Sequence, residues 1–244
     1  MINNIKIDKK TIIRWFNMVA WDLHNFNEDI AKHLYGDVLD IGAGEKQTIF
    51  NKKITKYVRL DNDKIFKETS GNVLQDNLDV CGDAHNLPFK NNSFDCTVML
   101  QVLEHLNEPQ TAIKEAHRVL KHNGIFAITV PFMVKEHSIP HDYYRYTQYG
   151  LRYLLEKNGF KVLKIKNGGG LWKVIGAKIS GYLYSEILGL GYAGEDNKGI
   201  KKKKILIPLI APLIAITVIF FRFLDKIHTT SKDTLHYYVL CKKI

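Results

Sequence analysis

The stretch Val38-Leu39-Asp40-Ile41-Gly42-Ala43-Gly44-Glu45-Lys46 decides how the chain is read. A short apolar run, Asp37 to Ile41, has the length of a buried strand and stops on two glycines spaced one residue apart. Small residues at such a turn let the backbone approach a ligand closely. Working outward, Tyr57 to Asp61 reads as a second strand, Val80 to Asp83 as a third, Ser93 to Leu100 as a fourth and Gly124 to Val130 as a fifth. Helical spacing lies between them, clearest from Pro109 to Lys121, with Asn123-Gly124 as its stop. Strand and helix in alternation predict an α/β fold with a mostly parallel sheet. Leu151 to Asn158 predicts a further helix stopped by Gly159, followed by a strand from Phe160 to Lys166. The last strand is Leu235 to Cys241, so the sheet closes only at the end of the sequence. Three parts result: a helical segment over 1–34, where Ile12, Phe16, Leu23, Phe26, Ile30 and Leu34 recur at helical spacing, a domain over 35–170 plus 231–244, and an apolar helical insertion over 171–230.

Ligands of an open α/β sheet bind outside the carboxyl ends of its strands. Asp40, Gly42, Gly44, Asp61 and Asp83 therefore converge on one crevice. Asp61 closes the second strand about twenty residues after the turn, where a carboxylate accepts from two ribose hydroxyls. A dinucleotide fingerprint would need a third glycine where Gln47 stands, and Glu45 occupies the place of a pyrophosphate. A carboxylate there opposes an anion and suits a cationic or neutral ligand, which favours a nucleoside carrying a sulfonium. The plainer alternative, turn-forming Gly and Asp without a ligand, has to explain three strand ends in register.

Taken in order, VLDIGAGEK (38–46), YVRLDND (57–63), CGDAHNLPFKNNSFD (81–95), VLEHL (102–106) and EAHRVLKHNGIFAITVPF (115–132) resemble the class I S-adenosylmethionine-dependent methyltransferases of the small-molecule type. The likeness extends to those of surface-glycan, lipid and quinone pathways. It implies a Rossmann-like, seven-stranded sheet with an antiparallel last strand, and S-adenosylmethionine as cofactor. By the same resemblance, Asp40, Gly42, Ala43 and Gly44 would pack on the methionine part. Asp61, with Asn62 beside it, would take the ribose, Asp83 and Ala84 would meet the adenine, and Gln101 would line the cofactor face. Lys46 departs from the pattern, since many relatives carry a third glycine there.

Methyl transfer displaces an already activated sulfonium, so positioning supplies much of the rate. A hydroxyl acceptor also needs a group to take its proton. The loop HSIPHDYYRY, His137 to Tyr146, crowds titratable and aromatic groups at the carboxyl edge. His141 is the expected general base, with Asp142 orienting it or Arg145; His137, Tyr143 and Arg145 are expected against the acceptor. A cap for the following helix is the structural alternative for His141 and Asp142. Glu104-His105 forms a second cluster, with His105 the further catalytic candidate. Ubiquinone-pathway relatives show Glu-x-x-Glu-His here, but this chain has Gln101 in place of the first Glu, which leaves a poorer hard-cation site, so no metal is expected. HDYYRYT resembles methyltransferases encoded among surface-glycan and lipid genes, which points to a sugar or polyprenyl-linked hydroxyl; a quinone ring is the alternative.

At 244 residues the chain can bury a full core, and 45% hydrophobic with 25% charged residues is ordinary for a globular protein. Its formal net charge of +10 suggests an anionic partner. Nucleic acid is disfavoured, because Leu100-Gln101-Val102-Leu103 replaces the Pro-Pro-aromatic motif of base-methylating enzymes and no separate basic domain is present. A third reading is non-enzymatic, a membrane-associated interaction protein; the intact Gly and Asp positions argue against it. Cys81, Cys96 and Cys241 form no CxxC pair, and no signal-type apolar run opens the chain, so a cytoplasmic protein is expected. Ile205 to Phe221 carries no charge and follows Lys201–Lys204. If the strands on either side share a sheet, the segment cannot cross a bilayer once. Three readings stay open for 171–225: a hairpin in the inner membrane interface, a core helix behind a solvated lysine loop, or a homodimer interface.

Overall fold

The computed structural model describes residues 17–44, 51–62, 78–190, 203–230 and 232–244. The expectations placed on Ile12 to Phe16, on Glu45, Lys46 and Gln47 and on Lys201–Lys202 lie outside them. Two compact units emerge, and each is described by itself.

The larger unit takes in Phe26–Gly168 and His236–Ile244. Its seven strands are β1 (Gly36–Ile41), β2 (Ile54–Asp61), β3 (Val80–Cys81), β4 (Phe94–Leu100), β5 (Leu120–Pro131), β6 (Phe160–Asn167) and β7 (His236–Lys243). They form one sheet in the order β3-β2-β1-β4-β5-β7-β6. All neighbouring pairs are parallel except β5–β7 and β6–β7. This is the mostly parallel sheet that the alternation predicted, with the antiparallel last strand that the resemblance implied.

Side-chain alternation explains why the sheet is covered on both faces. Leu39, Ile41, Leu60, Met99 and Val239 join one core with Ile113 and Ala116 of helix α2 (Pro109–Val119) and Leu151 and Leu155 of helix α3 (Gln148–Lys157). Val38, Val98, Leu100, Tyr238 and Leu240, one residue out of phase, join the other. There they meet Phe26, Ile30 and Leu34, spaced four apart at the end of helix α1 (Met18–Ala31) and beyond it. Asp29 ties α1 to β6 through Lys164 (3.0 Å) and Lys166 (2.7 Å).

Several boundaries differ from expectation: β2 begins three residues early at Ile54 and α3 at Gln148, and two others change a residue's place. Helix α2 ends at Val119, because Leu120 already has strand dihedrals and is fully buried in β5. Asn123-Gly124 therefore bends a strand and does not stop a helix; a Cβ on Gly124 would sit 2.9 Å from the Asp95 carbonyl oxygen. Strand β3 ends at Cys81, and Asp83 stands in the turn that follows, bridged to Asn86.

The smaller unit comprises the described parts of Met1–Asn25, Gly169–Tyr192 and Asn197–Leu235. Helix α4 (Leu171–Tyr182), a π turn (Leu183–Ile187) and helix α5 (Ile207–Ile227) form a hairpin. Ile214, Thr217, Val218 and Asp225 give α5 one buried stripe. The division differs from a separate 1–34 segment and a self-contained 171–230 insertion, for a physical reason. Lys173 pairs with the buried Asp22 at 2.8 Å, and Arg222 lies 5.4 Å from the centre of the Trp21 ring. A Cβ on Gly176 would meet both Phe221 (2.5 Å) and Met18 (2.7 Å), so only glycine lets these helices close. Asp225 accepts from the Gly170 N–H at 3.0 Å, which fixes the start of α4.

Candidate active site

Strand β1 hands over to the glycine turn through the Gly42 and Ala43 N–H groups, which both donate to the Leu60 carbonyl (2.8 and 3.1 Å). Gly42 has φ +74°, and a Cβ there would lie 2.5 Å from Val102 Cγ2, so no other residue fits. The Gly44 N–H donates to Asp61 Oδ2 at 2.7 Å, and the Asn62 N–H donates to Oδ1 at 2.6 Å. Asp61 is thus held rigidly at the sheet edge. Arg59 donates to the Gly44 carbonyl at 3.1 Å, and Tyr57 donates to Asp40 Oδ2 at 2.9 Å. Burial pushes the Asp40 carboxyl up to about 7, against the opposing pull of Tyr57 and Arg59.

The Asp83 turn is braced from α2. Glu115 accepts from the Leu87 N–H at 2.8 Å, while Arg118 donates to the carbonyls of Leu87 (2.9 Å) and Phe89 (2.7 Å). Asp83 itself accepts from the His85 N–H at 2.9 Å, and Ala84 packs against the core. Gln101 ends β4 at φ +58°, a conformation rare outside glycine, and its N–H donates to the Thr129 carbonyl at 2.9 Å. The Gln101 side-chain nitrogen is buried without a partner among the described residues. Native structures rarely leave such a donor idle, which marks it for a ligand.

Three residues further on, a 3-10 turn (Leu103–His105) presents a second cluster. Glu104 is fully buried, and neither carboxylate oxygen has a hydrogen-bond partner among the described residues. Burial pushes its carboxyl up to about 8. His105 Nε2 stands 3.7 Å and His137 Nε2 3.9 Å from Glu104 Oε1, with the two rings edge to face at 4.8 Å. His105 Nδ1 contacts the His141 carbonyl oxygen at 2.6 Å; an acceptor there requires Nδ1 to carry the proton. Burial pushes the His105 imidazole down to about 4, despite that bond. The Glu104 carbonyl in turn accepts from the Tyr143 N–H at 2.8 Å, which sews the loop after β5 onto this turn.

Asp142 holds Arg145 with two bonds of 2.6 Å and accepts from the His137 N–H at 3.0 Å. Burial alone would raise its carboxyl, and these bonds outweigh it and hold it below the usual range. The His141 ring meets the Tyr143 hydroxyl at 3.1 Å, so Asp142 orients Arg145 and His137 in place of the His141 ring. The structure therefore gathers Asp40, Gly42, Ala43, Gly44, Asp61 and Asn62 into one cradle. It gathers Glu104, His105, His137, Asp142 and Arg145 into one cluster, which touches His141 through its backbone. Sequence reasoning missed Tyr57, Arg59 and Val102 as the support of the cradle, and Glu104 with His137 as a facing pair. Alternation along β2 puts Tyr57 and Arg59 on one face and was the available signal for the first two. No sequence signal joins Glu104 to His137, 33 positions away.

Residues 39–128 match the methyltransferase domain family. An uncharacterised protein of Methanocaldococcus jannaschii is 38% identical over 96 residues, covering 38% of this chain and 36% of its own. The demethylmenaquinone methyltransferase of Thermotoga maritima is 30% identical over 95 residues, covering 37% and 42%. The chain thus spans about two fifths of the length of these curated relatives. Among solved structures, a Thermotoga maritima protein described as a SAM-dependent methyltransferase, possible histamine N-methyltransferase, superposes with a TM-score of 0.54 at 16% identity, covering 96% of both chains. At that identity the likeness establishes the fold.

Proposed function

Because the chain carries a class I S-adenosylmethionine-dependent methyltransferase domain, we propose that it transfers the methyl group of S-adenosylmethionine to a hydroxyl of a small or lipid-linked acceptor at the cytoplasmic face of a membrane. One observation carries the reading. The Gln101 side-chain donor and the Glu104 carboxylate, both buried and without hydrogen-bond partners among the described residues, follow the same strand end, three residues apart. A cofactor seated on the first delivers its methyl beside the second. Asp61 takes the ribose, and a cationic ligand nearby favours the carboxylate form of the buried Asp40.

The acceptor oxygen attacks the methyl carbon in line as the carbon–sulfur bond breaks. The sulfonium keeps that electron pair and leaves as a neutral thioether, and the hydroxyl proton passes to the Nε2 lone pair of His105 in the cluster. Exposed Tyr143, Tyr144 and Tyr153 beside the cluster loop offer faces on which a sugar or a ring can stack. The relative named demethylmenaquinone methyltransferase favours a second reading, a quinone-ring acceptor.

Supplying radiolabelled S-adenosylmethionine to cell fractions tests both. Label in the lipid extract, released by mild acid as a methylated sugar, supports the first reading. Acid-stable label on the lipid supports the second, and label confined to RNA overturns both. Replacing His141 by alanine is expected to leave turnover within about fivefold. The bond to His105 uses the His141 backbone carbonyl, which alanine keeps. A loss of roughly 100-fold or more, the usual effect of removing a general base, would return that role to the His141 ring.

The membrane part of the reading rests on α5. Ile205 is 89%, Leu209 71%, Ile216 64% and Ile227 67% exposed, and only 17% of its most apolar stretch is buried, unlike a core helix. Strands β6 and β7 pair in one sheet, so the hairpin between them leaves and returns on the same side. A hairpin lying in the lipid interface, with exposed Lys203 and Lys226 toward anionic headgroups, meets both conditions.

A further inference from the structure

The Glu104 cluster has an electrostatic feature that an organic acceptor alone does not resolve. His105 Nδ1 faces a carbonyl oxygen, so in the neutral ring its proton is there and Nε2 carries a lone pair. His137 Nδ1 faces two acceptors, the Lys135 carbonyl at 3.2 Å and Asp142 Oδ2 at 3.4 Å, so its Nε2 is also a bare lone pair. Both lone pairs point to the neighbourhood of Glu104 Oε1, at 3.7 and 3.9 Å. These spacings are too long for hydrogen bonds between them. Three electron-pair donors thus face one another, all within 4.8 Å, and the carboxylate among them is fully buried with both oxygens unpartnered. Such an arrangement gathers three ligand atoms around one point, as a cation site does.

We propose that Glu104, His105 and His137 are the protein ligands of a divalent transition-metal ion, bound through one carboxylate oxygen and two Nε2 atoms with its remaining positions open. The donor set is chemically apt. Imidazole and carboxylate together suit zinc, iron and manganese, and three protein ligands with an open position define a reactive centre. Zinc–nitrogen bonds of ~2.0 Å in a tetrahedron separate ligand atoms by roughly 3.3 Å, so the two Glu104–histidine separations shorten by about half an ångström on loading. The outer partners fit as well: a ligating histidine characteristically donates its other N–H to a backbone carbonyl or a carboxylate, here the His141 carbonyl and Asp142. Arg145, bonded twice to Asp142, fixes that carboxylate in turn. Gln101 in place of a carboxylate, which weakened the site in sequence, is offset by a nitrogen ligand from the loop after β5.

The site deepens the methyl-transfer reading by giving the acceptor hydroxyl a Lewis acid. A hydroxyl on the ion loses its proton to water more readily, the resulting alkoxide forms the new oxygen–methyl bond, and the sulfur keeps the electrons of the broken one. The ion's charge state does not change.

The test uses the full chain, stripped with a chelator and dialysed against Zn2+, with S-adenosylmethionine calorimetry on the same preparation as the fold control. The expected result is one zinc per chain, visible ligand-field bands on loading with Co2+, and bleaching of those bands by one equivalent of zinc. His137→Asn and Glu104→Gln should each weaken zinc binding at least 100-fold while retaining the cofactor heat. Less than about 0.1 zinc per chain in protein that binds the cofactor would overturn the site and leave the methyl-transfer reading standing. Equal uptake by wild type and both variants would place the ion elsewhere and overturn it too. Zinc uptake with no cofactor heat would uphold the site and sink the methyl-transfer reading. Should either variant fail to fold, the cobalt spectrum of the wild type still decides: its absence overturns the site.

Discussion

Replacing Asp61 by alanine is expected to weaken S-adenosylmethionine binding by roughly 100- to 1000-fold. The carboxylate is rigid before any ligand arrives, because Gly44 and Asn62 donate to its two oxygens at 2.7 and 2.6 Å. Two ribose hydroxyls then meet an acceptor that needs no reorganisation. Hydrogen bonds to a charged group contribute about 1.5–3 kcal/mol each, and losing two near the lower end of that range, about 3–4 kcal/mol together, gives this loss. Alanine also frees the Gly44 N–H and loosens the turn against which the methionine part would pack. Asparagine should fare little better, since its amide would set an N–H against one of the two backbone donors. Calorimetry on the purified variants checks this, with the melting temperature as the fold control. An affinity within about fivefold of wild type would remove Asp61 from the cofactor site.

The second large effect concerns the helical unit. Sedimentation with vesicles rich in anionic lipid is expected to exceed sedimentation with neutral vesicles. Neutralising Lys201–Lys204 should weaken anionic binding by about 1000-fold, because each basic residue near such a surface contributes about 1 kcal/mol. Neutral vesicles should respond little to the same change, since only the apolar face of α5 acts there. Release by high salt should follow the same pattern. Equal sedimentation with both vesicle types would remove the electrostatic part of the membrane reading. No sedimentation with either, together with a dimer in light scattering, would turn the exposed face of α5 into a contact between two copies of the chain.

The sheet was legible because its evidence is local. Strand lengths, the Gly42-Ala43-Gly44 turn and the placement of Asp61 follow from alternation and turn chemistry within short windows. The cradle was legible for the same reason, each of its members closing its own strand. Two boundaries escaped because tertiary packing overrode a local signal: Leu120 is drawn into β5 by its burial, and Asn123-Gly124 serves a bend against Asp95. The grouping of residues 17–25 with the apolar hairpin escaped because Asp22 and Lys173 lie 151 positions apart. The residues of the second cluster were singled out in sequence, but the facing of Glu104 and His137 was not, because only the pairing of β4 with β5 brings the loops after them together. The contact of the His141 carbonyl with His105 also has no local signal.

The central claim is that the bend at Gly42–Gly44, backed by Val102 and Asp61, holds adenosine bearing a sulfonium. Titration of the purified full-length chain with S-adenosylmethionine, and separately with its demethylated product, measures this directly. One ligand per chain with a clear heat is the predicted result. No heat with either compound, from protein that unfolds cooperatively, would contradict the account.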